Sequence, residues 1–140
     1  MAGIDMQNAK FVAMLAPISV NGTTATTIEI DTLGFDYMTV IVQAGLLGAT
    51  MDELSLTDSD TAGSGHAVIT GGTWVDPVGT TDNGKVYAAF IDLRKRKRYV
   101  KLVADPGAGA TLLSAVGILT RAEVTPTSAT ERGLGEQLII

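Results

Sequence analysis

The feature that most constrains the fold is a period-two alternation of apolar residues within short segments. Segments 37–44 ("YMTVIVQA") and 53–57 ("ELSLT") place aliphatic side chains at every second position. Because successive side chains of a strand point to opposite faces, each segment predicts a strand that buries one row and exposes the other. Asn-Gly pairs at 21–22 and 83–84 supply the turns that antiparallel strands need.

The remaining strand-like segments are less clearly sided. Segments 85–93, 98–104 and 111–122 are partly apolar on both faces, as expected for central strands of a sandwich or for strands at a contact between subunits. No segment shows a convincing helical period. We therefore predict an all-β, antiparallel, jelly-roll-like sandwich of about eight strands, with extended N- and C-terminal arms.

The predicted domain layout follows from the change in composition at the two ends. Residues 1–9 form an N-terminal arm, residues 10–125 form the sandwich, and residues 126–140 form a polar, glycine-containing tail. The predicted core takes one row of side chains from each strand. It consists of Ile28, Ile30, Met38, Val40, Val42, Leu54, Leu56, Val100, Leu102, Val116 and Ile118.

Composition limits how the chain is stabilised and where it acts. The 140 residues suit one domain, and the absence of cysteine excludes disulfides and thiolate metal sites. With 46% hydrophobic and 18% charged residues, the chain is apolar for a monomer, so we expect part of its surface to face other subunits. The uncharged runs 37–51 and 106–120 are too short for a membrane helix, and the first residues do not resemble a secretory signal, so we expect synthesis without export.

Few residues suggest catalysis or metal binding. His66 is the single histidine, so a catalytic triad or a zinc site lacks its usual partners, and we interpret it as a loop residue with satisfied hydrogen bonds. Asp58 and Asp60 alternate in "DSDTAGSG", which would suit a hard cation but is also ordinary turn chemistry, and both interpretations stay open. No phosphate-binding or dinucleotide fingerprint occurs. We expect no enzyme activity and no cofactor.

Six of the ten basic residues lie in a short stretch, the basic segment, of a chain whose net charge is −5. Three interpretations are open: a nucleic-acid contact, an acidic surface on a partner or on another copy, and the solvated turn of a hairpin. A pI of about 4.6 and the scarcity of aromatic residues argue against nucleic acid. The basic segment comprises Arg94, Lys95, Arg96, Lys97, Arg98 and Lys101.

The chain ends in three large apolar residues, Leu138, Ile139 and Ile140. Leaving such side chains in water forfeits about 1.5–3 kcal/mol each of burial free energy. We therefore expect this terminus to dock, either on its own sandwich or on a neighbouring copy.

The amino-acid sequences of several segments resemble those of small proteins of tailed bacteriophages. The resemblance rests on 30–45 ("IDTLGFDYMTVIVQAG"), 54–60 ("LSLTDSD"), the lone tryptophan in "GGTW" at 71–74, and the run 85–126. These segments are similar to capsid decoration, or cement, proteins of β-sandwich or jelly-roll type. The resemblance covers most of the predicted domain and contains no catalytic signature.

The resemblance implies a structural virion protein on the outer surface of the capsid, made in the host cytoplasm. Such proteins bind the major capsid protein, commonly as trimers over junctions between its subunits, and strengthen the shell against internal DNA pressure. On this hypothesis the basic segment and the apolar C-terminal residues contact neighbours. No residue role carries over from the family.

Two alternatives remain open at this point. The same features would suit another phage structural subunit, of the tail or fibre. A jelly-roll carbohydrate-binding module is the other alternative, with Trp74 as its aromatic platform, although a single tryptophan more often packs as an anchor.

Overall fold

A computed structural model describes residues 5–79 and 81–139. Eight strands account for the regular structure, together with two short 3₁₀ turns, Asp5–Asn8 and Leu93–Lys95. Among the described residues no helix has the length and hydropathy to cross a membrane. The strands are β1 (Lys10–Val20), β2 (Ile30–Asp31), β3 (Phe35–Leu47), β4 (Glu53–Ser59), β5 (Ala67–Thr73), β6 (Val86–Asp92), β7 (Tyr99–Asp105) and β8 (Thr111–Ala122).

The strands form two antiparallel sheets of four. The first sheet has the order β1-β8-β3-β6 and the second has the order β2-β7-β4-β5. Only β4 and β5 are consecutive strands of one sheet, so every other connection crosses between the sheets, which is the winding of a jelly roll. The predicted all-β sandwich of about eight strands is confirmed.

The predicted hairpin around the basic segment does not form. Strand β6 pairs with β3 in the first sheet, whereas β7 pairs with β2 and β4 in the second sheet. The basic segment therefore begins in a connection that passes from one sheet to the other at one end of the sandwich. Two consecutive strand-like runs suggest a hairpin locally, but the pairing partners of a jelly roll lie far away in sequence.

The core lies between the two sheets, where the alternating rows of β3, β4 and β7 meet. Most predicted core residues are confirmed, and each of them is at most 3% exposed. Met14, Met51 and Leu119, which were not predicted, fill the remaining central space. The confirmed core residues are Ile30, Met38, Val40, Val42, Leu54, Leu56, Val100 and Leu102.

The prediction for Ile28 is wrong. Its side chain is 56% exposed, and strand β2 begins only at Ile30. The amide of Ile28 donates to the carbonyl oxygen of Met14 at 2.8 Å, so this residue lies along the edge of β1 instead of alternating within a strand. The alternation of residues 27–31 ("TIEID"), which places Ile28 and Ile30 on one face, therefore extends beyond the two-residue strand that forms there.

The predicted side of β8 is also wrong. Val116 is 39% exposed, and Ile118 is buried but lies outside the central cluster. The inward row is instead Leu113, Ala115, Gly117 and Leu119. Both rows of β8 are apolar, so alternation alone does not distinguish them. A Cβ at position 117 would lie 2.6 Å from the Cδ1 atom of Ile30, so a larger residue there would require the end of this side chain to shift.

Candidate interaction surfaces

The outer face of the first sheet presents an unusually apolar surface to solvent. Strand register aligns Ala13, Val116, Ile41 and Ala88 in one row across all four strands. Phe90 lies on the same side of β6 and is 84% exposed. We call this surface the apolar face and define it by Ala13, Ile41, Val86, Ala88, Phe90, Leu112 and Val116.

Charged side chains border the apolar face at the end that contains Asp92 and Arg121. There, the guanidinium carbons of Arg94 and Arg121 lie 5.0 and 5.6 Å from the centre of the Tyr37 ring, close enough for cation–π attraction. Arg94 also pairs with Asp92 at 2.9 Å, and Arg121 lies 3.8 Å from Asp36. This border contains two cations and two anions, so it is balanced in charge.

The outer face of the second sheet is polar by contrast. On β4 the outward positions are taken by Ser55, Thr57 and Ser59, opposite Val103, Lys101 and Tyr99 of β7 respectively. Hydroxyl groups of β4 are satisfied locally, as where Ser59 donates to the carbonyl oxygen of Ser64 at 2.5 Å. The apolar rows that cross four strands therefore belong to the first sheet.

Half of the basic segment is neutralised by nearby carboxylates. Arg94 pairs with Asp92, and Arg98 donates two hydrogen bonds to Asp31 at 2.7 and 2.8 Å. Arg96 lies 3.9 Å from the carboxylate of Asp58. These pairings join the segment to its own sandwich and reduce the charge available to a polyanion.

Three lysines supply the remaining positive charge of the basic segment. Within the described parts of the chain, Lys95, Lys97 and Lys101 form no ion pair. Lys95 and Lys97 are exposed, whereas Lys101 is half-buried on β7. The segment can therefore present two exposed ammonium groups to an acidic partner.

His66 holds a loop against the second sheet. Its Nε2 atom lies 2.5 Å from the Glu29 carboxylate, and its Nδ1 atom lies 3.3 Å from the Thr57 hydroxyl. Glu29 also accepts the amide of Gly63 at 2.9 Å. Thr57 is only 5% exposed and its hydroxyl donates to the carbonyl oxygen of Lys101 at 3.1 Å, so it is not presented as a nucleophile. His66 acts here as a structural tie.

The ion pairs of Glu29, Asp31 and Asp92 predict that the protein becomes less stable in acid. Hydrogen bonds from His66, Arg98 and Arg94 lower the pKa values of Glu29, Asp31 and Asp92 below their ordinary values of 4.5, 3.8 and 3.8. A lowered folded-state pKa stabilises the fold above the ordinary value, and this contribution is lost as pH falls through the folded value.

We therefore expect the free energy of unfolding to fall as pH drops from about 5 toward 2, with urea denaturation as the measurement. The D31N variant should show a shallower fall, because one of the contributing carboxylates is gone. An unfolding free energy that rises over the same interval would contradict this account.

Asp58 and Asp60, the residues suggested for a hard cation, have different surroundings. Asp58 is 6% exposed, accepts the amide of Lys97 at 3.3 Å and faces the Arg96 guanidinium. Asp60 lies in the exposed loop after β4. Among residues 5–79 and 81–139, no group of three or more histidine and acidic side chains is arranged to hold a metal. Asp58 instead anchors the connection from β6 to β7.

Trp74 lies at the open edge between the two sheets, immediately after β5. The ring is half-buried and packs against the core, and its Nε1–H donates to the carbonyl oxygen of Ala88 at 3.2 Å. It joins the edge of the second sheet to the edge strand β6 of the first sheet. Its contacts are those of a packing anchor, although the ring also lines a shallow cleft with Phe90.

The C-terminal tail folds back onto the start of β1. The carbonyl oxygen of Arg132 accepts the amide of Phe11 at 2.7 Å. The Arg132 side chain is largely buried and donates to the carbonyl oxygens of Gln7 and Pro126 and to the side-chain oxygen of Gln137. The tail is thus anchored on its own sandwich.

The apolar end of the tail is not buried by this anchor. Leu138 is 81% exposed and Ile139 is 61% exposed, while Ile140 lies outside the described residues. Arg132 thus anchors the tail, whereas Leu138 and Ile139, two of the three residues expected to dock, are exposed, and docking of the apolar terminus stays a prediction.

Sequence reasoning missed two features of these surfaces. The apolar face was signalled only by the two-sided apolar character of β6 and β8, which does not show which side is covered. The anchoring role of Arg132 has no local signal, because its partners Gln7 and Pro126 lie in separate segments.

Comparisons with known proteins identify no family. No family model and no curated protein matches the sequence. One similar solved structure comprises the CBM22-1 and GH10 modules of the xylanase Xyn10B from Clostridium thermocellum, complexed with xylohexaose. The identity is 11% and the TM-score is 0.46, over 89% of this chain but only 28% of that one. A similarity of this strength carries no conclusion about function.

Proposed function

We propose that this chain is a structural, non-enzymatic virion protein that decorates the head of a tailed phage. In this role copies associate with one another and bind the outer surface of the shell formed by the major capsid protein. Two observations support this role, the resemblance of about residues 28–126 to decoration proteins and the exposed apolar face.

The apolar face supports a role in assembly because its apolar side chains are exposed together on one sheet. Its rows cross four strands and run along β8 from Leu112 to Ile118, and the row that contains Val86 also includes the polar residues Gln43 and Ser114. With strands about 4.8 Å apart and a rise of about 3.4 Å per residue, the face measures about 19 by 24 Å. Apolar patches of roughly this size often mark sites of macromolecular contact.

The basic segment supplies the second surface that a decoration protein needs. Lys95 and Lys97 project at one end of the sandwich, whereas the connections at the other end contain Asp52, Asp76 and Asp82. The two exposed ammonium groups of Lys95 and Lys97 can direct the protein toward an acidic surface and fix its orientation there. We propose that this end faces the shell.

The test is binding to heads that lack this protein. Purified chain is mixed with expanded heads of the phage that encodes it, and the bound fraction is measured by sedimentation at increasing salt. We expect saturable binding, and heads that carry the protein should release DNA at a higher temperature than bare heads. Absence of binding to heads together with binding to tails would overturn the decoration role and favour a tail or fibre subunit.

A charge-neutralising variant tests the orientation. The double variant K95Q/K97Q should bind heads about 2- to 30-fold more weakly, since two exposed charge contacts are lost. The matched control is K85Q, which removes a lysine at the opposite end of the sandwich and should leave binding nearly unchanged. Equal losses in both proteins would exclude the basic segment as the shell contact.

A further inference from the structure

We propose that a second copy of this chain covers the apolar face. The biological role of this contact rests on the proposed function, but the contact itself follows from the surface. It differs from the sequence-based expectation, which placed the contacts with neighbours at the basic segment and the C-terminal residues.

The centre of the apolar face offers nothing for a charged partner to bind. No charged side chain lies in the two adjoining rows that contain Ala88 and Phe90, so an acidic or basic partner would find nothing complementary there. A matching apolar surface is required, and an identical chain provides one at equal concentration. Contacts between identical subunits are accordingly more apolar at their centre than contacts between transient partners.

The charges at the border of the apolar face favour contact between copies. The chain as a whole carries a net charge of −5, which opposes association of copies through most of its surface. The border of the apolar face is an exception, because Asp36 and Asp92 are balanced there by Arg121 and Arg94. Copies can approach through this side without net repulsion.

The face also has the extent of an interface. Twisted sheets of two subunits can pack face to face about 10 Å apart. The region from Leu112 to Ile118 covers about 450 Å² in projection, and the four strands, with 11, 12, 13 and 7 residues, together cover about 700 Å². A standard stable interface covers about 800 Å² on each partner. The face thus supplies an apolar centre with a polar border of the expected size.

The structure also indicates how copies would engage. Phe90 is 84% exposed and Val86 is 60% exposed, and both lie on the edge strand β6. Val116 lies on the central strand β8, where an introduced charge would be enclosed by a covering subunit. Val116 is therefore the position at which association can be disrupted with one substitution.

The first experiment measures the mass of the purified chain by light scattering over a range of concentrations. We expect the wild-type protein to have at least twice the monomer mass of 14.5 kDa, and we expect the V116E variant to be monomeric. V68E is the matched control, because Val68 is 52% exposed on β5 of the other sheet and should tolerate the same charge without loss of assembly. A wild-type monomer at all concentrations would overturn the inference.

A second experiment covers the case in which V116E fails to fold. The natural chain contains no cysteine, so a single thiol can report on one position. We expect the thiol of A88C to react at least about tenfold more slowly with an alkylating reagent at high protein concentration than at low concentration, as burial in an interface requires. The thiol of V68C should react at the same rate at both concentrations. Equal concentration dependence at the two positions would contradict the inference.

These outcomes are separable from the shell-binding test. A monomeric chain that still binds heads would overturn the copy contact and leave the decoration role standing. An oligomer with a protected A88C thiol that binds no heads would do the reverse.

Discussion

The L102A variant is expected to lose about 2–5 kcal/mol of its free energy of unfolding. Leu102 is 1% exposed in the middle of β7, where it lies opposite Leu56 and within the central cluster. Removing its side-chain methyl groups forfeits their burial and leaves a cavity that the two sheets cannot close without moving together. Urea denaturation at one fixed protein concentration measures the loss, because association would otherwise make stability depend on concentration.

The adjacent residue provides the matched control. Val103 points to the outer, polar side of the same strand and is half-buried, so V103A should change stability much less than L102A. Equal effects of the two substitutions would mean that the core does not lie between the sheets at β7. The comparison thus tests the inward and outward assignment of this strand directly.

The alternation of β3, β4 and β7 could be predicted because each strand has one strongly apolar row. In β8 the two rows are almost equally apolar, and the side that faces the core was predicted wrongly. The inward row contains Gly117, which was given no role because glycine has no apolar side chain to count. Its neighbours Ile30 and Met38 in the core are not near it in sequence.

Strand β5 contains two glycines whose sequence pattern is typical of a turn. Gly71 and Gly72 indicate a turn, but both lie inside β5, where Gly71 has a φ of 77°. The register against β4 shifts between Ser55 and Thr57 at this point, so the glycines create a bulge in an edge strand. A local pattern does not distinguish a bulge from a turn, because the difference lies in whether pairing resumes beyond it.

For the basic segment and the apolar face, the sequence indicates which residues are involved but not which residues they contact in the fold. The sequence shows that Arg94 to Arg98 are clustered, but their neutralisation by Asp31 and Asp58 depends on the pairing of β7 with β2 and β4 in the second sheet. The same is true of the apolar face, whose row joins Ala13 to Ala88 across four strands. Long-range pairing is what a sequence pattern of short period leaves undetermined.

Replacing Arg132 by methionine is expected to release the C-terminal tail without unfolding the sandwich. Arg132 donates to Gln7, Pro126 and Gln137, and each acceptor left unsatisfied in a buried place would cost about 1–3 kcal/mol. The tail can avoid this cost by detaching, so that water satisfies the acceptors. The loss of global stability is therefore limited to the free energy with which the tail docks.

Hydrogen exchange distinguishes this local release from general destabilisation. The amide of Phe11, which donates to the carbonyl oxygen of Arg132, should lose protection by roughly tenfold or more in R132M, and residues 126–139 should become sensitive to protease. Amides of β3 should keep their protection, because that strand is paired on both sides. R121M is the matched control, since Arg121 is exposed at the end of β8 and its removal should leave the Phe11 amide protected. Unchanged protection of Phe11 in R132M would mean that the backbone contact alone holds the tail, whereas loss of protection throughout β3 would mean that the tail and the sandwich unfold as one unit.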